Sequence, residues 1–253
     1  MKTPLLENRS HAGPRPPLTE GEVHVWLADL DAVAFGSVDL IGLLSEPERA
    51  KAQNYRRQDD ERRFVARRAT LRTLIGHYNR VDPQAVLFST GEHGRPELHA
   101  GQLPLQFSVS HSDRWALFGF ARDRAIGVDV EQERAFAFAD VVRQFFTPDE
   151  AEAISARPDA EQQSAFYRCW TRKEAYLKAK GVGFSLAADS FALSVEPGAT
   201  GALLWSTHHP HDVDRWSFVD LAGIPGCTAT VVTESTKAGA VVPHRLFEWT
   251  VPE

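Results

Sequence analysis

One arrangement constrains this chain's fold above all others: a strand, then helices, then strands, run through twice, with the break near residues 122–125. In the first pass Val23 to Leu30 reads as a strand, with Val23, Val25 and Leu27 on one face. Ser45 to Arg57 and Glu61 to Tyr78 read as helices. In the second of these Phe64, Leu71, Leu74, Ile75 and Tyr78 form one stripe, and Asp82-Pro83 ends the pattern. Val86 to Ser89 is a short strand and Gly91 to Pro96 a loop. Strands follow near Gln106–Ser110, Trp115–Ala121 and Ala125–Glu131, with Arg122-Asp123-Arg124 as the turn between the last two. The second pass opens with helices at Asp140–Phe146 and Pro148–Ala156, the latter with Thr147 and Glu150 as a capping box. The clearest helix, Glu161 to Lys180, stops at Gly181 in the C′ position. Strands near Ser190–Val195, Arg215–Asp220, Thr228–Thr233 and Leu246–Val251 complete it. The two passes share no convincing sequence identity, so the order alone suggests a duplication. Residues 1–20, rich in Pro and polar groups, read as a loose tail.

With 253 residues, 43% of them apolar, the chain has ample material for a core. No stretch of about 18 apolar residues is present to span a membrane. The start, MKTPLLENRSHAGPRPP, lacks the apolar run of a secretory signal. Two cysteines, Cys169 and Cys227, make no disulfide framework, so a reducing cytoplasm is the expected setting. The net charge of −6 is uneven: between Arg49 and Arg80 stand ten Arg or Lys against Asp59, Asp60 and Glu61. A cationic patch on an acidic protein suits an anionic small molecule or an acidic protein surface. A nucleic-acid binder would more usually be basic throughout.

Four groups of residues carry chemistry. In Ala125 to Glu131, alternation sets Ile126, Val128 and Val130 on one face and Gly127, Asp129 and Glu131 on the other. Two carboxylates so placed repel unless a cation lies between them, and hard oxygen ligands suit Mg²⁺ bound to phosphate. A solvated sheet face accommodates the same pair. In Phe166 to Lys178, the apolar stripe is Phe166, Cys169, Trp170 and Leu177, and Lys173 falls inside it, where an ammonium needs a partner. Glu174 and Lys178 stand at i and i+4 on the rim. A snorkelling Lys173 and an ordinary ion pair fit this helix equally well.

Third, in Phe107 to Ser112, His111 ends a strand on the side of Phe107 and Val109. Neighbouring strand residues point apart, which argues against a Ser–His nucleophile, and no G-x-S-x-G elbow exists. Such a His suits a phosphate, or a packed or capping role. Fourth, Arg67 and Arg68 flank the Phe64–Leu71 stripe, while Arg56, Arg57, Arg62 and Arg63 gather at the helix junction. Arginine forks suit a phosphate monoester, although a solvated face is the alternative. His208-His209-Pro210-His211 lacks accompanying ligands and reads as a polar loop.

Taken in order, Phe107-Ser-Val-Ser110-His111-Ser, Gly127-Val-Asp129-Val-Glu131 and Trp170-Thr-Arg-Lys173-Glu174-Ala-Tyr-Leu-Lys178 resemble the motifs of the Sfp-type 4′-phosphopantetheinyl transferases, over about Ser45 to Ser194. Gly94-Arg95-Pro96 looks like the family's loop against the adenine of coenzyme A. The resemblance implies an α+β fold of two similar α/β halves related by a pseudo-twofold. Each half would be an antiparallel sheet packed with helices, with the active site between them. Residues 21–123 would contact the 3′-phosphate and adenine, and 124–253 would be the metal-binding catalytic half. It implies a monomer that moves the phosphopantetheine arm of coenzyme A to a serine of an apo acyl or peptidyl carrier protein, releasing adenosine 3′,5′-bisphosphate. Asp129, Glu131 and Glu174 would hold Mg²⁺, with Mn²⁺ as the alternative. Lys173, Lys178, Ser110 and His111 would contact phosphate groups, and Glu174 would be the general base, directly or through a metal-bound water. Arg49, Lys51, Arg63 and Arg67 are the candidates for the 3′-phosphate, with Lys51 and Arg63 favoured. The carrier's acidic helix would dock near the cleft, and the aromatic stretch from Ala135-Phe136-Ala-Phe138 to Phe145-Phe146 is either its docking element or core. Two other readings compete. A metal-dependent phosphodiesterase would use Asp129 and Glu131, but Glu133 stands where the usual nuclease pattern wants Lys. A non-catalytic coenzyme A-binding or carrier-binding protein would lack a metal ligand, and none is missing.

Overall fold

The apolar residues of Val23 to Asp29 are buried on both faces of the strand they form, β1, so this strand lies between two layers. The protein is seen in a computed structural model that describes residues 16–34, 39–91, 96–99, 104–183, 186–198, 202–235, 242 and 244–250. After β1 come α1 (Leu30–Ala34), α2 (Glu46–Gln53), α3 (Gln58–Asn79), β2 (Phe88–Thr90), β3 (Pro96–Leu98), β4 (Gln106–Ser112) and β5 (Trp115–Ala121). The second half runs β6 (Ile126–Gln132), α4 (Ala139–Phe145), α5 (Pro148–Ser155), α6 (Asp159–Lys180), β7 (Phe191–Leu193), β8 (Leu203–Ser206), α7 (Asp212–Arg215), β9 (Trp216–Leu221) and β10 (Cys227–Glu234), and β11 (His244–Glu248) follows.

The two halves follow the same order of elements, apart from α7 and β11, which have no counterpart among the described residues of the first half. One sheet carries the order β1-β5-β4 and the other β6-β10-β9, all antiparallel. Each half has one 22-residue helix, α3 or α6, and one small hairpin, β2–β3 or β7–β8. The layers follow from strand alternation. Trp26, Ala28, Phe118 and Phe120 pack against Leu71, Leu74, Ile75 and Tyr78 of α3. The opposite face, with Val23, Val25, Leu27, Leu117 and Ala121, packs against Ile126, Val128, Val130 and Val231 of the second sheet. That sheet turns its outer face, including Phe218 and Val232, to Tyr176 and Leu177 of α6.

Two expectations need correction. Residues 16–20 are not loose: Leu18 is in the core, its carbonyl accepts from Arg122 Nε at 3.0 Å, and the carbonyl of Pro16 lies 3.3 Å from His77 Nε2. Residues 124–253 are not one spatial unit either. The final strand, displaced from the expected 246–251, leaves the second half and pairs parallel with β1, with Leu246 opposite Val25. An unpaired β1 edge would expose a row of backbone donors and acceptors, and β11 covers it. Among the described residues no helix is long and apolar enough to cross a membrane.

Burial sets one pH response. His24 is fully buried, its Nδ1 lies 2.8 Å from Tyr78 Oη, and its Nε2 has no hydrogen-bond partner. Burial foremost, then the charge of Arg245, pulls its pKa from 6.5 to about 4, against the opposing pull of Glu22. As pH falls the unfolded chain binds this proton first, so stability present above about 6.5 drains away between about 6.5 and 4. This site alone should remove about 2 kcal/mol between pH 7 and pH 5. Urea unfolding at both pH values should show His24→Gln losing that much less than the wild type. An equal loss in both would contradict the assignment.

Candidate active site

Gly127 sets the distance between β6 and α6. A Cβ there would stand 1.9 Å from the Ala175 carbonyl oxygen and 2.5 Å from the Ala179 nitrogen, so only glycine lets strand and helix backbones meet. The same strand face carries Asp129 and Glu131 towards α6, whose next turns present Lys178, Glu174 and Trp170. Gly127→Ala must push the two elements apart. It should cost about 3 kcal/mol, read as a lower urea midpoint with unchanged slope, and wild-type stability would refute this close approach.

The edges of the two sheets meet at β4 and β6, joined by three serines on one face of β4. Ser108 Oγ accepts from the Val128 N–H at 3.1 Å, and Ser112 Oγ accepts from the Gln132 N–H at 3.0 Å. Ser110 Oγ donates to Asp129 Oδ1 at 2.7 Å and Ser112 Oγ to Glu131 Oε2 at 2.9 Å. Ser108 and Ser112 went unassigned in the sequence, although the i, i+2, i+4 run of serines was visible there. Lys178 Nζ lies 2.6 Å from Asp129 Oδ1 and donates to Ser110 Oγ at 3.0 Å. Asp129 is 1% exposed, and its second oxygen, Oδ2, is buried with no hydrogen-bond partner. Burial first, then the charge of Asp129, raises the Glu131 pKa. Burial also raises Glu174, to about 6, with Asp129 and Glu131 adding to the rise and Lys178 opposing it.

Next to this acidic group lies a cationic cleft with two adjoining cavities, of about 410 and 500 Å³, which share Phe64, Arg67 and His111. Lys51, Arg68 and Glu48 line the first, and Arg57, Arg63 and Arg134 line the second with Asp59, Asp60 and Asp113. The Arg67 guanidinium stacks over the Phe64 ring at 5.7 Å, and burial lowers its pKa to about 10, so it stays charged at neutral pH. His111 opens to solvent through the cleft mouth but is hemmed in by the walls. That desolvation, then the charges of Arg67 and Lys178, lowers its pKa to about 4, so a neutral imidazole faces an incoming ligand.

The structure thus brings together Lys51, Arg67 and His111 in one place, and Ser110, Asp129 and Lys178 in another. It does not bring Lys173. That side chain is 2% exposed, lies 3.0 Å from Glu150 Oε2, and donates to the carbonyls of Ala188 at 2.6 Å and Phe191 at 3.1 Å. The expected phosphate contact is therefore corrected: the stripe lysine finds its partner in the core. Glu150, read in the sequence only as half of a capping box, also accepts from the Leu193 N–H at 2.7 Å. Arg63 lines the cleft, but all three of its guanidinium nitrogens are taken. Nε and Nη2 donate to the two oxygens of Asp31 at 2.7 and 2.9 Å, and Nη1 donates to Asp113 at 2.5 Å. Gly94 and Arg95 lie outside the described residues, and Pro96 opens β3. Of the aromatic stretch, Phe146 is core, Phe138 and Phe145 are partly buried against that core, and Phe136 is 44% exposed.

Among the described residues no group of three or more His, Cys, Asp or Glu is drawn together as a ready metal site. The donors nonetheless fit a hard divalent cation: Asp129 Oδ2 is an orphaned buried carboxylate oxygen, and two further carboxylates lie near enough to feel its charge.

Fold and site define a two-half α+β protein whose sheet seam joins an acidic group to a cleft lined by arginine and lysine side chains. Residues 125–233 match the profile of the 4′-phosphopantetheinyl transferase superfamily, and residues 37–120 match that of a 4′-phosphopantetheinyl transferase N-terminal region. The 4′-phosphopantetheinyl transferase HetI of Nostoc sp. is 34% identical over 224 residues, 86% of this chain and 91% of its own length. The 4′-phosphopantetheinyl transferase Sfp of Bacillus subtilis is 29% identical over 67% of this chain and 75% of its own. A phosphopantetheinyl transferase of Thraustochytrium sp. is 33% identical over 61% of this chain and 59% of its own. The chain belongs to the 4′-phosphopantetheinyl transferase superfamily and is a transferase enzyme.

Proposed function

We propose that the protein transfers the phosphopantetheine arm of coenzyme A to a serine hydroxyl of an apo acyl or peptidyl carrier protein, in a Mg²⁺-dependent reaction that releases adenosine 3′,5′-bisphosphate. The observation that carries this reading is the unpartnered, buried Oδ2 of Asp129 beside Lys178, at the seam next to the cationic cleft. Lys51, Arg67 and His111 bind the nucleotide's phosphate charge, with the neutral His111 ring as a hydrogen-bond donor. Lys178 turns its ammonium to the pyrophosphate side. A divalent cation held by Asp129, Glu131 and Glu174 would supply charge neutralisation at the pyrophosphate. Glu174 accepts the serine proton as the new serine O–P bond forms and the pyrophosphate P–O bond breaks. The acidic face of a carrier helix suits the basic side chains of the cleft, and Phe136 is an exposed apolar side chain available for contact.

Intact-protein mass spectrometry of apo carriers from fatty-acid, polyketide and non-ribosomal peptide systems tests this. With coenzyme A and Mg²⁺, at least one should gain a single phosphopantetheine, and chelation should stop the gain. No mass gain on any of them would contradict the proposal.

A further inference from the structure

The cleft is crossed by a chain of charges that the assigned residues do not explain. Asp31 holds Arg63, Arg63 holds Asp113 Oδ1, and Asp113 Oδ2 pairs with Arg134 Nη2 at 3.1 Å. The first three belong to α1, α3 and the β4–β5 turn, whereas Arg134 follows β6 and comes from the other half. Its backbone is fixed twice by one hydroxyl: Tyr167 Oη accepts from the Arg134 N–H at 3.0 Å and donates to its carbonyl at 3.1 Å. Asp113 is fixed too, at the tip of the turn with a left-handed φ of 52°. The Arg134 side chain is 65% exposed, and a salt bridge so exposed contributes little. Its guanidinium lines the same cavity as Arg67 and His111. Asp113, held by Arg63, thus offers Arg134 the only carboxylate that an ion pair gives it among the described residues, and a phosphate is a stronger bidentate acceptor.

We propose that Arg134 grips a phosphate group of coenzyme A, and that Asp113 competes with that phosphate for the guanidinium until the phosphate displaces it. The inference rests on coenzyme A being the ligand of this cleft. The two residues then act in opposite directions. Arg134→Met should raise KM for coenzyme A about 10-fold, with the loss in KM rather than kcat and with KM for the carrier unmoved, and Arg134→Lys should recover part of it. Asp113→Asn keeps a residue that tolerates the turn and removes the competing charge, so it should lower KM for coenzyme A about 3-fold. Repeating the series with dephospho-coenzyme A identifies the phosphate. A loss confined to coenzyme A supports a grip on the 3′-phosphate, and an equal loss with both supports a grip on the pyrophosphate. An Arg134→Met enzyme with wild-type KM for coenzyme A, a shift in carrier KM instead, or a higher KM in Asp113→Asn would overturn the inference while leaving the transferase reading intact. A wild-type protein that neither binds coenzyme A nor modifies any carrier would remove both.

Discussion

Asp129→Ala is expected to slow carrier modification by roughly 10³-fold, the several kcal/mol that charge neutralisation at a transferring phosphoryl group supplies. The side chain sits at the seam between the sheets, with one oxygen engaged by Ser110 and Lys178 and the other unpartnered. Its removal leaves the Lys178 ammonium without that carboxylate. Lys178 is 29% exposed and can turn to water, so the fold should survive. Asp129→Asn keeps the volume and loses the charge, and it should fall nearly as far. The readout is the rate of carrier mass gain at saturating coenzyme A, with far-UV circular dichroism as the control for folding. Turnover within about 10-fold of wild type in both variants would separate Asp129 from the chemistry.

Lys173→Met is expected to destabilise the protein by about 3–5 kcal/mol, because it leaves the Glu150 carboxylate buried at 1% exposure without its cation. Glu150 ties three pieces of the second half together: the start of α5 through Thr147, β7 through Leu193 and α6 through Lys173. The double variant Lys173→Met/Glu150→Gln removes both charges and keeps an acceptor for one of the two backbone donors, Thr147 N–H or Leu193 N–H. It should regain part of the lost stability. Coenzyme A affinity in that double variant should stay close to wild type, since Lys173 is directed into the core. If the double variant were stable yet bound coenzyme A tenfold more weakly, Lys173 would have the phosphate contact that its sequence motif implies.

The strands and long helices were legible because their periodicities are strong: β4, β5, β6, α3 and α6 fall within a few residues of where the sequence sets them. Asp129 and Glu131 were legible for the same reason, since alternation fixes their face. Lys173 shows where periodicity stops. It gives the helix face but not which of two neighbouring carboxylate groups an ammonium on that face meets, and Glu150 is 23 positions away in sequence. Arg63 repeats the lesson, because its partners Asp31 and Asp113 come from α1 and a turn that only the folded chain brings beside α3. The final strand was visible as a strand. Its sheet was not, because the pairing with β1 spans nearly the whole chain. Gly127 carried a signal within its motif, but the 1.9 Å approach to α6 belongs to packing and not to any local pattern.

The central claim is that the acidic group around Asp129 and the cationic cleft around Arg67 serve one ligand. Calorimetric titration of coenzyme A with and without Mg²⁺ tests it most directly, in the wild type, Asp129→Asn and Arg67→Gln. The account predicts that Mg²⁺ tightens binding to the wild type, that Asp129→Asn loses this enhancement, and that Arg67→Gln weakens binding under both conditions. Mg²⁺ enhancement that persists undiminished in Asp129→Asn, or coenzyme A affinity that is indifferent to Arg67, would contradict it.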